Sequence, residues 1–595
     1  MRLSGLCSRK IFWLLFAASL ILALWSFAVP IFEAPDEPHH WQNAEYIHAY
    51  WKLPPYNQAF VEGNQAPLYY LLVSPFSIHS SVPPLKAAVE DGKMGPSCPP
   101  RFYENCPSDL RNYWPIRIVR LITALISVAT VLFTALAATE ATANPDIGIL
   151  AGSLVAFLPQ FSFRGSTVNN DAMVACSCAA ATWYLVRFTR ASESRTAMWC
   201  AVACTLAFLS KINGIVVSIG FIAYILILRL PWIECLQRMK FLFIGLVVVS
   251  PWLFRNRLLY GDFLAQSIMP RVVPVLVDRK PLTAPYFYTM FPNALWRSFI
   301  GVFGWGNIAL PLLMYRIYLL LTTIAFVGLM CGLIQRKIDR KLCAVLLLIL
   351  FLTIAATIQL NLTFTQPQGR YLFPALTATM VLCAVGLGAL PKWRGVATYG
   401  VIALLGFLNM YALIMVVYPA YWIPTQVSLQ IDSDASAKLT KISPYIPLTP
   451  GHSFTQSFIA KHNNLSAVEI EFTNGGHPVN SGDVVLHLKA ALTAATDIAN
   501  ISIPASLMRR CCAYMRLSFH PIMGSKDKIY YVSIETVHVS PTAEVTVFVG
   551  DEDLGANGSL YVDNRPQAKS TLFRTYYEPR LEPCPKCLCK FSGSK

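Results

Sequence analysis

The sequence predicts an α-helical polytopic membrane protein of about eleven transmembrane helices, followed by a β-sandwich domain outside the membrane. Three observations predict this architecture. Over 595 residues, 55% are hydrophobic and only 13% are charged, about half the charged share of an ordinary soluble domain. The apolar residues gather up to Tyr418 in blocks of roughly 17–25 residues, the length that crosses ~30 Å of hydrocarbon. Beyond that point the chain changes to short alternating runs broken by Gly, Pro, Asn and Asp.

The first apolar block, near Ile11–Pro30, follows Arg2, Arg9 and Lys10. A basic start before an apolar stretch also describes a cleaved leader. The bulk of Trp13, Phe16, Trp25 and Phe27, and the lack of a small-x-small site after it, favour a retained helix. Further blocks lie near 115–140, 147–165, 171–189, 197–210, 213–230, 239–255, 309–334, 342–361, 371–390 and 396–418. Basic loops are retained in the cytoplasm. An N-terminus inside puts Arg187/Arg190/Arg195, Arg229/Arg238/Lys240, Arg336/Lys337/Arg340/Lys341 and Lys392/Arg394 on that same side. Only an odd number of spans gives this agreement. The net charge of +16 is therefore largely a topology signal, and nucleic acid is excluded as a partner because the charges are spread among membrane loops. The expected location is a cytoplasmic (inner) membrane, with the C-terminal domain extracytoplasmic.

Cys176, Cys178, Cys200, Cys204, Cys331, Cys343 and Cys383 fall inside apolar blocks and read as small core residues. Cys98 and Cys106 share the first external loop, where an oxidising compartment favours a disulfide. Cys584, Cys587 and Cys589 close the chain. Zinc there would need a fourth ligand that the sequence does not place, so a disulfide or a plain tail is favoured.

This topology divides the chain into a membrane domain, 1–424, with large external loops at 31–114 and 256–308, and an outer domain, 425–595. The cytoplasmic loops are short, so chemistry is expected at the outer membrane surface. The first external loop opens Glu33-Ala-Pro-Asp36-Glu37-Pro-His39-His40-Trp41. Carboxylates so close to hydrocarbon are costly without a task or a partner. One of them could deprotonate an acceptor hydroxyl or help bind a cation. Asp36 could equally be the N-cap of a helix running through Ala44 to Tyr50. Asn64–Tyr70 reads as an interfacial amphipathic helix. Polar residues recur at the external ends of later spans: Arg164 with Asn169-Asn170-Asp171, Lys211 with Asn213, Arg255-Asn256 with Tyr260-Gly261-Asp262, and Gln368-Gly369-Arg370-Tyr371. Singly, each is more often an interface anchor or helix cap. Together they put acids and cations at one depth and on one face, which suits a phosphate-bearing lipid.

These pieces carry a resemblance. Pro35-Asp36-Glu37-Pro38-His39-His40, Gln65-Ala66-Pro67-Leu68-Tyr69-Tyr70, Asn169-Asn170-Asp171-Ala172, Leu209-Ser210-Lys211-Ile212-Asn213-Gly214, Arg255-Asn256-x-x-x-Tyr260-Gly261-Asp262 and Gln368-Gly369-Arg370-Tyr371 occur in order over roughly residues 1–420. In this the chain resembles the GT-C superfamily of membrane glycosyltransferases, in a bacterial branch with a Pro-Asp-Glu-Pro-x-His motif after the first span. The resemblance implies transfer of a sugar from a polyprenyl-phosphate carrier to a glycan, lipid or protein acceptor outside the membrane, usually with inversion. It implies Asp36 as the base, with Glu37 second, and Asp171 as a further acid at the site. His39, His40, Asn170, Lys211, Arg255, Arg370 and Tyr371 would bind substrate, the arginines holding the carrier phosphate. Some relatives need a divalent metal and others do not. No Asp-x-Asp pair stands in the external loops, so no cofactor is assigned and a divalent metal stays open. Two other classes also stay open: a transporter or flippase of lipid-linked sugar, and a non-catalytic cell-envelope assembly protein.

From about Ser428 to Pro579 the pattern is β. Ala467–Phe472, Asp483–Leu488, Tyr530–Ile534 and Glu544–Phe548 alternate apolar and polar residues between turn signals. A two-sheet, jelly-roll-like sandwich is expected, and glycan binding by it is no better supported than a plain structural role.

Overall fold

The computed structural model describes residues 5–32, 34–57, 59–78, 114–190, 193–229, 231–273, 277–304, 306, 308–390 and 395–421, and in the C-terminal part the strands between 428 and 577. Cys98, Cys106, the closing cysteines, Glu33, Lys392 and Arg394 lie outside the described residues. The chain divides into two compact units at 422/423.

Helices occupy each of the eleven positions read from the sequence. They are α1 (Gly5–Ala28), then Trp114–Thr142, the pair Pro145–Ala156 and Pro159–Gly165, Asp171–Arg190, Ser194–Ser210, Ile215–Ile227, Trp232–Tyr260, Leu312–Ile334, Arg340–Asn361, Leu376–Ala389 behind a 3₁₀ turn from Gly369, and Val396–Tyr411. Seven helices among the described residues are long and apolar enough to cross a membrane, or eight with the bent pair. The protein is thus a multi-pass membrane protein. Ile212–Ile227 is apolar but shorter, and Trp232–Tyr260 carries Glu234, Arg238, Lys240, Arg255 and Arg257 towards its two ends. The pair is bent by 66° at Leu158-Pro159, where the Pro ring cannot continue the preceding helix.

The helices bury a common core and expose their lipid-facing apolar side chains. Trp25 of α1 is fully buried, lies against Phe163 and Phe303, and donates its indole N–H to Asn409 Oδ1 at 3.0 Å. Phe12, Trp13, Phe16 and Phe27 of the same helix are more than half exposed, as expected where hydrocarbon is the solvent. Small residues set a close crossing. A Cβ added to Gly328 would collide with the Gly386 carbonyl, and one added to Gly386 with that of Ala325, so Leu312–Ile334 and Leu376–Ala389 meet backbone to backbone. At one end of the bundle Lys10 pairs with Asp146 at 2.6 Å, Tyr399 donates to Asp146, and Arg190 donates to the Ala141 carbonyl. These ties bring parts of the basic loops to a single end.

Two short helices follow α1: α2 (Glu37–Tyr50) and α3 (Leu68–Val73). Asp36 occupies the N-cap position of α2 but makes no side-chain cap bond, which departs from the simple capping role open to it in the sequence. Its φ of +65° is left-handed, a conformation that Asp adopts more readily than most residues.

The C-terminal unit contains, among its described residues, two antiparallel six-stranded sheets. In one, the order is Arg565–Gln567, Leu560–Val562, Phe454–Ile459, Ile529–Val537, Asp483–Lys489, Ala499–Pro504. In the other, Leu465–Thr473 pairs with Phe573–Tyr577, Ala513–Ile522 and Val545–Val547. Val484, Leu486 and Leu488 are completely buried and share a core with Val468, Ile470 and Leu517 of the opposite sheet. The alternation of period two thus reads out directly as a sandwich interior.

Candidate active site

The site is assembled from the turn before α2 and the like ends of several helices. Its centre is Asp171, the first residue of Asp171–Arg190, which is 1% exposed. Asp171 Oδ2 accepts from Arg164 Nη2 at 2.9 Å and Nε at 3.2 Å. Its Oδ1 accepts from Lys211 Nζ at 2.6 Å. Asn169 builds the turn that delivers it, donating to the carbonyls of Arg164 and Thr167 and accepting from Ala172 N. Arg164 also donates to the Pro35 carbonyl at 2.9 Å, which fixes the chain just before Asp36.

Asp36 itself pairs with Arg370 at 2.5 Å, and Arg370 Nη1 lies 3.8 Å from Asp171 Oδ2. Burial would raise the Asp36 carboxyl, but the Arg370 guanidinium, with lesser help from neighbouring positive charge, holds it well below the usual carboxylate range. Tyr371 closes this side. Its ring lies against both Arg370 (5.4 Å) and Lys211 (5.6 Å), and its hydroxyl donates to Gln366 Oε1. Arg164, Lys211 and Arg370 therefore face two carboxylates, Asp36 and Asp171, which leaves the cluster one positive charge in excess.

Asp36, Asp171, Lys211, Arg370 and Tyr371 are thus in mutual contact, and Asn170, next to Asp171 in the chain, donates to the Ser210 carbonyl. His40 is near but takes another part. Burial pushes its imidazole down to about 3 against the pull of Asp36, so it is neutral and hydrogen-bonds Tyr70 Oη at 2.7 Å. His39 is also shifted down by burial, and its Nδ1 has no hydrogen-bond partner among the described residues.

Two expectations need correction. Glu37 is not available as a base. It is fully buried, its Oε1 accepts from Arg120 Nε and Val168 N, and its Oε2 accepts from Arg120 Nη2 and Phe32 N. Arg120 spends its remaining N–H groups on the carbonyls of Ser26, Val29 and Pro30. The pair ties the end of α1 to the start of α2. Arg255 does not join the ion-pair cluster either. Its guanidinium donates to the Leu53 and Pro54 carbonyls and lines a separate cleft of about 440 Å³ with Tyr46, Lys52, Pro55 and Leu259.

The sequence reading missed Glu62. It sits between α2 and α3, is half-buried, and accepts from Gln65 Nε2 at 2.6 Å. Gln65 in turn accepts from Asn170 Nδ2 at 2.9 Å. Burial, and then Asp36, push the Glu62 carboxyl up to about 7 against the pull of Lys211, Arg370 and the Gln65 amide. Asn43 Oδ1, Asn170 Oδ1 and Arg370 Nε are buried and have no hydrogen-bond partner among the described residues. Only the neighbouring Gln65-Ala66-Pro67 motif pointed here, and nothing in the local sequence of Glu62 marks it. Among the described residues no three His, Cys, Asp or Glu side chains converge as a metal site would require.

Residues 110–254 match the family model described as dolichyl-phosphate-mannose-protein mannosyltransferase. The matched stretch holds Arg164, Asp171 and Lys211 of the cluster. Comparison with the curated proteins gives no match. Among solved structures, the chain is similar to ArnT from Cupriavidus metallidurans in the apo state, at 14% identity and a TM-score of 0.39, over 66% of this chain and 62% of that one. The same protein bound to undecaprenyl phosphate is similar at 12% identity and a TM-score of 0.41, over 69% and 73%. The archaeal oligosaccharyltransferase AglB from Archaeoglobus fulgidus, in complex with an inhibitory peptide and a dolichol-phosphate, is similar at 14% identity and a TM-score of 0.36, over 70% and 56%. The chain therefore spans less than two thirds of the length of the first of these.

Proposed function

We propose that the protein is a glycosyltransferase that moves a sugar from a polyprenyl-phosphate donor to an acceptor on the extracytoplasmic face, with inversion and with Asp36 as base. The observation that carries this reading is the cation-rich cluster at one end of the bundle, where Arg370 and Lys211 flank two carboxylates. A carrier phosphate has the charge to occupy it. Arriving at Arg370, the phosphate would take the guanidinium from Asp36. The carboxylate then loses the partner that suppresses its basicity, so the base is released only when the donor is in place. A left-handed backbone at Asp36 fits a residue held where function needs it. The cleft of Arg255 and Lys52, with its apolar rim, is suited to guide the lipid head towards this centre.

The reading is tested by native mass spectrometry of the detergent-solubilised protein with undecaprenyl phosphate, and by transfer of labelled sugar from undecaprenyl-phosphate-linked monosaccharides. Wild type is expected to bind the lipid phosphate, and Arg370→Ala to bind it at least about tenfold more weakly, because one charge-assisted pair is lost. Equal binding by the two proteins would refute the phosphate site.

The same reading places the cluster outside and the basic loops in the cytoplasm. A cysteine introduced at Lys337 is expected to resist an impermeant thiol reagent applied to intact cells, whereas one introduced after Ser428 reacts. Labelling at 337 from outside would overturn the eleven-span topology.

A further inference from the structure

We infer that Arg164 is a positioning residue of the site: its guanidinium bridges Asp171 and the Pro35 carbonyl, and this bridge sets where Asp36 stands. The inference rests on the glycosyltransferase reading with Asp36 as base, and it gives a task to a residue that the motifs left without one.

Local structure delivers the side chain. The bend at Leu158-Pro159 opens the short helix Pro159–Gly165, every residue of which is buried. Phe163 packs against Trp25 of α1 and against Phe303. Phe161 lies 6.0 Å from Phe373, on the 3₁₀ turn that carries Arg370. The Arg164 carbonyl is held as well, by Asn169 Nδ2 at 2.6 Å. The root of the side chain is therefore fixed independently of its guanidinium.

The fork then divides its donors. Nε and Nη2 meet Asp171 Oδ2 at 3.2 and 2.9 Å. Nη1 meets the Pro35 carbonyl, 129 residues away in the chain, at 2.9 Å. Arg164 is 1% exposed, so these bonds are made away from bulk water, where they are stronger. A Lys ammonium is a single point of charge and does not reproduce a planar fork that serves two acceptors from different nitrogens. Asp36 follows Pro35 directly and has a left-handed φ of +65°, so its place depends on where the Pro35 carbonyl is held. Arg370 holds the carboxylate of the same residue. When a carrier phosphate draws Arg370 away, the carboxylate loses that hold while the Arg164 bond to its neighbour stays. A general base must lie within hydrogen-bond reach of the hydroxyl it deprotonates, and a displacement of about 1 Å costs on the order of 10²-fold.

The test uses the full chain in detergent, with undecaprenyl phosphate and undecaprenyl-phosphate-linked monosaccharides. Arg164→Lys keeps the charge beside Asp171 and gives up the Pro35 tether. Its kcat should fall by about 10–100-fold, with undecaprenyl phosphate binding within about twofold of wild type. The second readout is one that a merely structural role would not produce. Added to Asp36→Asn, Arg164→Lys should cost nothing more, because losses that act through one residue do not add. Arg164→Gln, which also lacks the fork, is carried through the same cycle and should show the same non-additivity. Wild-type kcat in both Arg164 variants, or an equal loss with and without the Asp36 carboxylate, would overturn the proposal. Failure of both variants to fold would overturn it too, since Arg164 would then hold the fold and not the base. Failure of the parent reading appears separately, as lipid phosphate that wild type does not bind or as near-normal turnover by Asp36→Asn alone.

Discussion

Asp36→Asn is expected to lower sugar transfer by about 10²–10⁴-fold, the usual cost of losing a general base, while binding undecaprenyl phosphate more tightly than wild type. Both effects have one cause. The amide cannot accept the acceptor's proton, and it no longer neutralises Arg370, whose guanidinium it faces at the position of the present 2.5 Å pair. Asn also tolerates the left-handed φ of +65° found at this position, so the turn into α2 is preserved. Arg370→Ala acts in the opposite sense on binding, since it removes a contact made in ground and transition states alike. Transfer assays and lipid titrations on the two variants separate the roles. Near-normal turnover by Asp36→Asn would show that the base lies elsewhere. Glu37 could not replace it, because its four hydrogen bonds already fill both oxygens.

The largest loss of stability should come from Arg120→Met. Arg120 and Glu37 are both fully buried and pair at 2.6 Å. Removing the guanidinium strands a carboxylate in the interior, which costs about 3–5 kcal/mol, and it also cuts the bonds to the Ser26, Val29 and Pro30 carbonyls. The end of α1 and the start of α2 would lose their tie, and Asp36 would lose its position with them. Thermal unfolding of the purified protein should show a clear drop. The double variant Glu37→Gln/Arg120→Met should recover part of it, because no lone charge is then buried. Stability equal to wild type in Arg120→Met would show that the pair is not the tie described.

Much of this protein was determined by its sequence alone. Membrane spans declare themselves because hydrocarbon tolerates no unsatisfied backbone and few charges, so apolar blocks near 115–140, 171–189 and 396–418 fix helices at those places. The strand Asp483–Lys489 is equally legible, since alternate residues must face one core. The site was legible as a set of motifs on one face, and Asp36, Asp171, Lys211 and Arg370 do meet there. Which acid does what was decided only by the tertiary structure. Asp36 and Glu37 are neighbours in sequence, yet one faces Arg370 from the far end of the membrane domain and the other is locked by Arg120. Arg255 has the same residue type as Arg370 but spends its donors on carbonyls. Glu62 sits in no ionic motif and gains its character from burial and from Asp36. Local pattern reports the solvent that a segment meets. The basicity of a carboxylate depends instead on which charges, distant in sequence, lie within a few ångströms of it, and only folding of the chain brings those charges together.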